Sequence, residues 1–265
     1  MSKFKPIISE VKVITKELHF VIEGDDKYGL DKSIMNGIRR TLLNDIPTVA
    51  FKTDENLQKK DITVVTNIGQ LHNEMLLQRI SLIPLYIDPS TYMKNYLFEL
   101  KVKHDNSEIY KFITINDFNI YPLKLEIQSR LNSSEDDEID EELDTLLNSN
   151  NYENYDLNNP LSNKQKDLIL KPFTFRGKTT YCLLTELKTT NEEDLFQEIH
   201  LYGVPSLGTG KDNARFQAVS NGTYSFKKDE DLIKSIIQER IKLEKIDEED
   251  QESFIEKLIL SESEK

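Results

Sequence analysis

Few residues in this 265-residue chain have both the type and the spacing for chemistry. Gly208-Thr209-Gly210-Lys211 superficially suggests phosphate binding. A phosphate-cradling loop, however, sets four residues between its glycines and a hydroxyl after the lysine, and here Asp212 follows instead, so a turn is expected. His72 and Glu74 are two positions apart, which on a helix puts them on different faces and rules out an acid/base or metal pair there. Cys182 sits between Tyr181 and Leu183 in a strand-like pattern with no neighbouring histidine, the setting of a buried structural thiol rather than a nucleophile. As the single cysteine it forms no internal disulfide, and the four histidines lack the ligand spacing of a zinc site. The carboxylates are numerous but gather in charge runs. No catalytic constellation is found, no cofactor or metal is implied, and the chain is expected not to be an enzyme by itself.

Composition narrows the partners. A net charge of −13 and a pI near 4.9 argue against a stand-alone nucleic-acid binder, whose phosphate contacts need a basic surface. Direct sequence-specific nucleic-acid contact is not expected, and neither is membrane attachment through basic residues. No apolar run approaches the roughly 20 residues of a spanning helix, and MSKFKPIISE has no apolar leader segment. A soluble protein of a reducing, intracellular compartment is expected. Its 37% hydrophobic content is enough for real cores.

Two helical stretches organise the pattern. In residues 30–47, Leu30, Ile34, Ile38 and Leu42 recur every fourth position with Met35 beside them, an apolar stripe expected to face a sheet. Asp31 can cap this helix by accepting a bond from a free backbone N–H, and Pro47 stops it. Asn36, Arg40 and Leu43 lie on the opposite face with Arg39 at its edge, a surface that invites a partner. The second stretch, 71–84, is apolar twice over: Leu71, Met75 and Leu82 fall on one side, Leu76, Leu77 and Ile80 roughly on the other. Such a helix is normally buried between two layers, the first being the chain's own sheet; the second is either another subunit or more of the same chain.

Strands are expected at 11–23, 48–53, 62–68, 97–103, 110–115, 123–127, 179–186 and 197–202, with 224–226 closing the β region. The acidic block Glu135–Asp144 and the Asn-rich stretch after it read as one surface loop, 133–160. The C-terminal stretch is helical in pattern, with Leu232, Ile236, Ile237 and Ile241 on one face and Phe254, Ile255, Leu258 and Ile259 on a second.

Three separated segments resemble one family. Asn36-Gly37-Ile38-Arg39-Arg40 through Pro47-Thr48-Val49-Ala50 is similar to its paired-arginine helix followed by E-V-P-T-x-A. Asn67, Leu71, Asn73, Glu74, Arg79 and Leu82-Ile83-Pro84-Leu85 resemble its N-x-x-x-L-x-D-E-x-x-x-x-R-x-x-L-I-P-L. Gly208 through Val219 is similar to its G-x-G-K-D-H-A-K-W-x-P-V. The family is that of the alpha-like assembly subunits of multisubunit DNA-directed RNA polymerases: bacterial alpha, its archaeal counterpart, and the third-largest subunit of eukaryotic RNA polymerase II with its equivalent in polymerases I and III.

The resemblance implies an α+β chain: a dimerisation domain, a sheet with two packed helices, formed by 1–85 and 227–265, and an inserted, mainly antiparallel β domain at 86–226. It implies a non-catalytic scaffold that dimerises with a smaller alpha-like partner, separate or fused, and then gathers the two large catalytic subunits. Asn36, Arg39, Arg40 and Leu43 would meet a large subunit; Leu71, Met75, Leu76, Leu77 and Ile80 would form the dimer face. Asn36-Gly37 inverts the order seen in many members, Asn73 replaces an acid, the cysteine cluster of some members is absent, and 229–265 does not match the family's returning strand and long helix. These departures suit a divergent polymerase such as that of a large DNA virus, working in the nucleus, or in host cytoplasm or virion if viral. The competing reading is an acidic interaction module, a chaperone or nucleic-acid mimic built on the same fold.

Overall fold

The computed structural model describes residues 6–24, 30–53, 61–133, 152–190, 196–226, 230–244 and 255. The chain divides into two compact units, Met1–Gly222 and Thr223–Lys265.

In the first unit, β1 (Ile7–Ile14) and β2 (Glu17–Glu23) pair antiparallel, with Ile8 opposite Ile22 and Val13 opposite Leu18. The single strand expected over 11–23 is thus broken by a turn: it holds the end of β1 and all of β2. Its turn places Thr15 at φ 56, a left-handed conformation unusual for a β-branched residue and not marked by the Asn-Gly or Asp-Gly that announces a hairpin. Helix α1 (Lys32–Asn44) follows, capped as expected: the Lys32 N–H donates to Asp31 Oδ1 at 2.7 Å and the Ser33 hydroxyl to Oδ2 at 2.8 Å. Its apolar stripe is not buried on a sheet. Ile34 is exposed, while Met35, Ile38 and Leu42 are only half-buried.

From Pro47 onward the chain builds a core. Strand β3 (Pro47–Ala50) pairs with β12 (Ser206–Thr209), Val49 opposite Leu207. The main sheet is antiparallel, in the order β4 (Ile62–Asn67), β11 (Glu198–Gly203), β5 (Tyr96–Lys103), β7 (Phe118–Pro122). A two-stranded ribbon, β6 (Tyr110–Thr114) with β10 (Leu183–Lys188), and a short hairpin, β8 (Phe173–Phe175) with β9 (Lys178–Thr180), complete the strands among the described residues. Helices α2 (Asn73–Ser81), α3 (Leu125–Ser133) and α4 (Asn163–Ile169) lie between them in sequence. The core joins Leu76 and Ile80 of α2 to Phe98, Leu100, Phe118, Ile120, Ile199 and Leu201 of the sheet and to Ile113, Leu184 and Leu187 of the ribbon. Phe98 anchors it, edge-on to Phe51 at 5.3 Å and to Phe118 at 6.2 Å between ring centroids. Burying each such side chain is worth about 1.5–3 kcal/mol.

Two expectations shift. The strand expected at 123–127 does not form: β7 ends just before it at Pro122, and α3 begins at Leu125; a short apolar run does not distinguish strand from helix by period. Strand β4 and helix α2, grouped by resemblance with 1–85, share one sheet and one core with β5, β7 and β11. The acidic block Glu135–Asp144 lies outside the described residues.

In the second unit Tyr224 and Phe226 form no strand; their rings meet edge to face at 5.9 Å. Helix α5 (Glu230–Glu244) half-buries Ile233, Ile237 and Ile241, spaced at i, i+4 and i+8, and leaves Ile236 exposed. Ile255 is helical and half-buried, whereas Phe254, Leu258 and Ile259 lie outside the described residues.

Candidate assembly surface

On α1 the four residues Asn36, Arg39, Arg40 and Leu43 fall at i, i+3, i+4 and i+7, one face by helical geometry. Arg39 Nε and Nη2 both donate to Asn36 Oδ1, at 3.0 and 2.9 Å, so this guanidinium is held along the helix. Arg39 is half-buried, whereas Arg40 and Asn36 are exposed. The structure therefore leaves one of the paired arginines open to solvent.

What positions α1 is the glycine-rich turn. The Lys211 N–H donates to the Asn44 carbonyl at 3.0 Å, and a Cβ on Gly210 would collide with the Leu43 carbonyl, so only glycine allows this approach. The turn closes on itself through Asp212, whose Oδ2 accepts from the Thr209 N–H at 3.0 Å and the Thr209 hydroxyl at 2.9 Å. The expected turn is what these residues form. Farther along, Arg215 Nη1 donates to the Phe51 carbonyl at 3.0 Å and to Thr53 Oγ1 at 2.9 Å, and the Thr48 hydroxyl donates to the Phe216 carbonyl at 2.6 Å. Two motifs far apart in the chain, 36–50 and 208–219, thus form one physical joint.

Helix α2 is apolar on two sides, as its pattern says, but the sides have different fates. Leu76 and Ile80 are 0% exposed and Leu77 is 8% exposed, spent on the chain's own core, so these three have no area left for a partner. On the other side Met75 and Leu82 are exposed and Leu71 is half-buried. The amphipathic period identifies two faces without telling which meets the sheet. The segment before α2 is built on Asn67, whose Nδ2 donates to the Leu71 carbonyl at 2.9 Å and to Asn73 Oδ1 at 2.7 Å. Arg79 Nη2 reaches the Leu183 carbonyl of β10 at 3.0 Å, which makes it a strut between helix and ribbon.

Of the residues weighed for chemistry, His72 is the exposed N-cap of α2 and Glu74 stands in its first turn. Cys182 is exposed, not buried: it lies between β9 and β10, where the strand expected over 179–186 is broken. Among the described residues no group of three or more His, Cys, Asp or Glu is placed to hold a metal, and no helix is long and apolar enough to cross a membrane.

One polar cluster has no counterpart among the sequence-based expectations. Glu99, buried in β5, accepts hydrogen bonds from the Tyr152 hydroxyl at 2.6 Å and the Tyr121 hydroxyl at 2.9 Å, with His200 Nε2 at 3.1 Å. Burial alone raises the carboxyl's pKa, but the bonds from Tyr152, Tyr121 and His200 outweigh it and hold Glu99 below its ordinary range. Burial, then the bond to Glu99, pushes Tyr121 up to about 12. Tyr152 stacks edge-on to Tyr202 at 4.9 Å. With each oxygen engaged by a donor, the carboxylate works as a lock between β5, β7, β11 and the 152–154 turn. Its sequence signal is a single glutamate inside the apolar run Leu97-Phe98-Glu99-Leu100.

No family model matches the chain. Curated relatives do. Over 211 residues it is 25% identical to the subunit RPAC1 of DNA-directed RNA polymerases I and III from Homo sapiens, an overlap of 80% of this chain and 53% of the human one. The RPAC1 subunit of Mus musculus matches at 25% over 199 residues, 75% of this chain and 49% of its own. That of Dictyostelium discoideum matches at 28% over 92 residues, 31% of this chain and 24% of its own. The chain spans about half the length of the mammalian relatives it matches. The chain is thus similar, at 25% identity, to an RNA polymerase subunit, in agreement with the resemblance that its motifs carry.

Proposed function

We propose that the chain is a non-catalytic scaffold subunit of a DNA-directed RNA polymerase, pairing with a smaller alpha-like partner and presenting the product to the two large catalytic subunits. The observation that carries this reading is the state of the region before β3. The β1–β2 hairpin exposes Ile7, Ile8, Val11, Val13, Ile14 and Leu18, and α1 buries no residue at all. Apolar surface on this scale is costly in water and is the usual mark of an interface. In this reading the hairpin and the apolar stripe of α1 join Met75 and Leu71 in serving the dimer, with Leu76, Leu77 and Ile80 holding α2 in place from behind. Asn36, Arg40 and Leu43, with Arg39 fixed by Asn36, meet a large subunit. The nucleus, or a viral host's cytoplasm or virion, is the corresponding location.

Native mass spectrometry of the complex purified through this chain tests the reading. A scaffold brings down two very large subunits and a smaller alpha-like protein or fused segment; a complex without the large pair refutes it. The net charge of −13 favours one rival, an acidic module that binds basic partners. Such partners are shed in high salt, because exposed charges are screened within about 10 Å at 0.1 M ionic strength. An alpha-like partner held through apolar contacts stays.

A further inference from the structure

Residues 171–181 read Lys-Pro-Phe-Thr-Phe-Arg-Gly-Lys-Thr-Thr-Tyr: three cations and no carboxylate, in a chain of net charge −13. They fold into the β8–β9 hairpin, with Phe173 opposite Thr180, Thr174 opposite Thr179 and Phe175 opposite Lys178. Arg176 at φ 49 and Gly177 at φ 76 make the two-residue turn, the left-handed pair whose twist matches that of the flanking strands. The hairpin is a two-stranded sheet by itself, and every residue from Phe173 to Thr179 is exposed. Its side chains add nothing to the core, yet two of them are phenylalanines.

Strand alternation puts Phe173 and Phe175 on one face, with Lys178 across from Phe175. The Arg176 guanidinium lies 5.3 Å from the centre of the Phe175 ring, and at the base of the arm Lys171 Nζ lies 4.0 Å from the centre of the exposed Tyr86 ring. Rings beneath cations orient the charges and keep their stems dry. Aromatic residues and arginine are also the types enriched where protein interfaces carry their binding energy.

We propose that this hairpin is an insertion arm that docks into an acidic-rimmed, apolar-floored cleft on a protein partner. Phe173 and Phe175 fill the floor, and Lys171, Arg176 and Lys178 pair with carboxylates on the rim. Charge complementarity selects that occupant: the arm carries three positive charges on a chain that is otherwise strongly acidic. A nucleic acid would meet the same cations but also the repulsion of the whole chain, and it binds along basic grooves rather than on an isolated two-stranded protrusion. The proposal needs no assumption about the scaffold role.

The test places photoreactive benzoylphenylalanine at position 175 of the full chain, in the cells that make it, and sequences the adduct. The expected product is a protein peptide rich in Asp and Glu. Its synthetic copy then binds the purified chain, and affinity falls at least tenfold in both Phe175→Ala and the double variant Arg176→Ser, Lys178→Ser. These side chains are exposed, so the variants keep the parental melting temperature, which is measured alongside. A nucleic-acid adduct, an adduct to a basic or uncharged peptide, no adduct, or a peptide affinity unmoved by the variants overturns the proposal.

Discussion

Gly210 packs its α-carbon against the carbonyl of Leu43, close enough that no side chain fits between them. That contact fixes where the last turn of α1 stands relative to the strands it precedes, and with it the direction in which Arg40 points. Gly210→Ala forces a backbone atom to move, and the next bond along, Lys211 to Asn44, moves with it. The variant is expected to lose about 1–3 kcal/mol, the range for overpacking a tight site. Denaturant unfolding reads this as a lower midpoint at unchanged slope; an unchanged midpoint means that the joint is soft.

The two sides of α2 separate cleanly by mutation. Leu76→Ala and Ile80→Ala each empty a fully buried site and should cost about 2–5 kcal/mol. Met75→Ala on the isolated chain should stay within about 0.5 kcal/mol, as surface substitutions do. Equal losses at Met75 and Leu76 would show that the isolated chain already covers the outer side.

Arg40 is exposed and sits beside an arginine that is already engaged. Arg40→Glu should leave the melting temperature and any dimer intact while weakening capture of a large subunit in a pull-down. Arg39→Ala gives a mixed result, because it also releases Asn36. Undiminished capture by Arg40→Glu would remove α1 from the proposed large-subunit contact.

Part of the acid sensitivity should trace to Glu99. Its pKa in the folded chain lies below the ordinary 4.5, so ionisation favours folding: the contribution is fully present above 4.5 and is lost as pH falls through the lower folded value. Glu99→Gln should flatten stability against pH in that acid window and lower stability at neutral pH. Melting curves from pH 3 to pH 7 check both; parallel curves for the two proteins would reassign the acid response.

Much of the β architecture was legible because the short runs from Ile62, Leu97, Tyr110 and Gln197 carry apolar, β-branched and aromatic residues, and those runs became β4, β5, β6 and β11. The first hairpin was not, since Thr15 turns the chain without glycine or asparagine to announce it. Nor could pattern say which side of α2 faces inward: periodicity counts faces, and only the sheet decides between them. The joint between Gly210 and Leu43 illustrates a further limit. Both segments stood out separately, through glycines in one and arginines in the other, but contact across that span of chain is a tertiary fact.

The open hairpin of β1 and β2 also bears on how the chain must be made. Side chains such as Val13 and Leu18, left facing water, stick to whatever greasy surface arrives first, including another copy of the same polypeptide. If the proposed pairing holds, copies produced in excess of a companion are the ones expected to clump or be degraded. Co-expression with the proposed companion is then expected to raise the yield of dispersed protein, and overproduction alone to lower it.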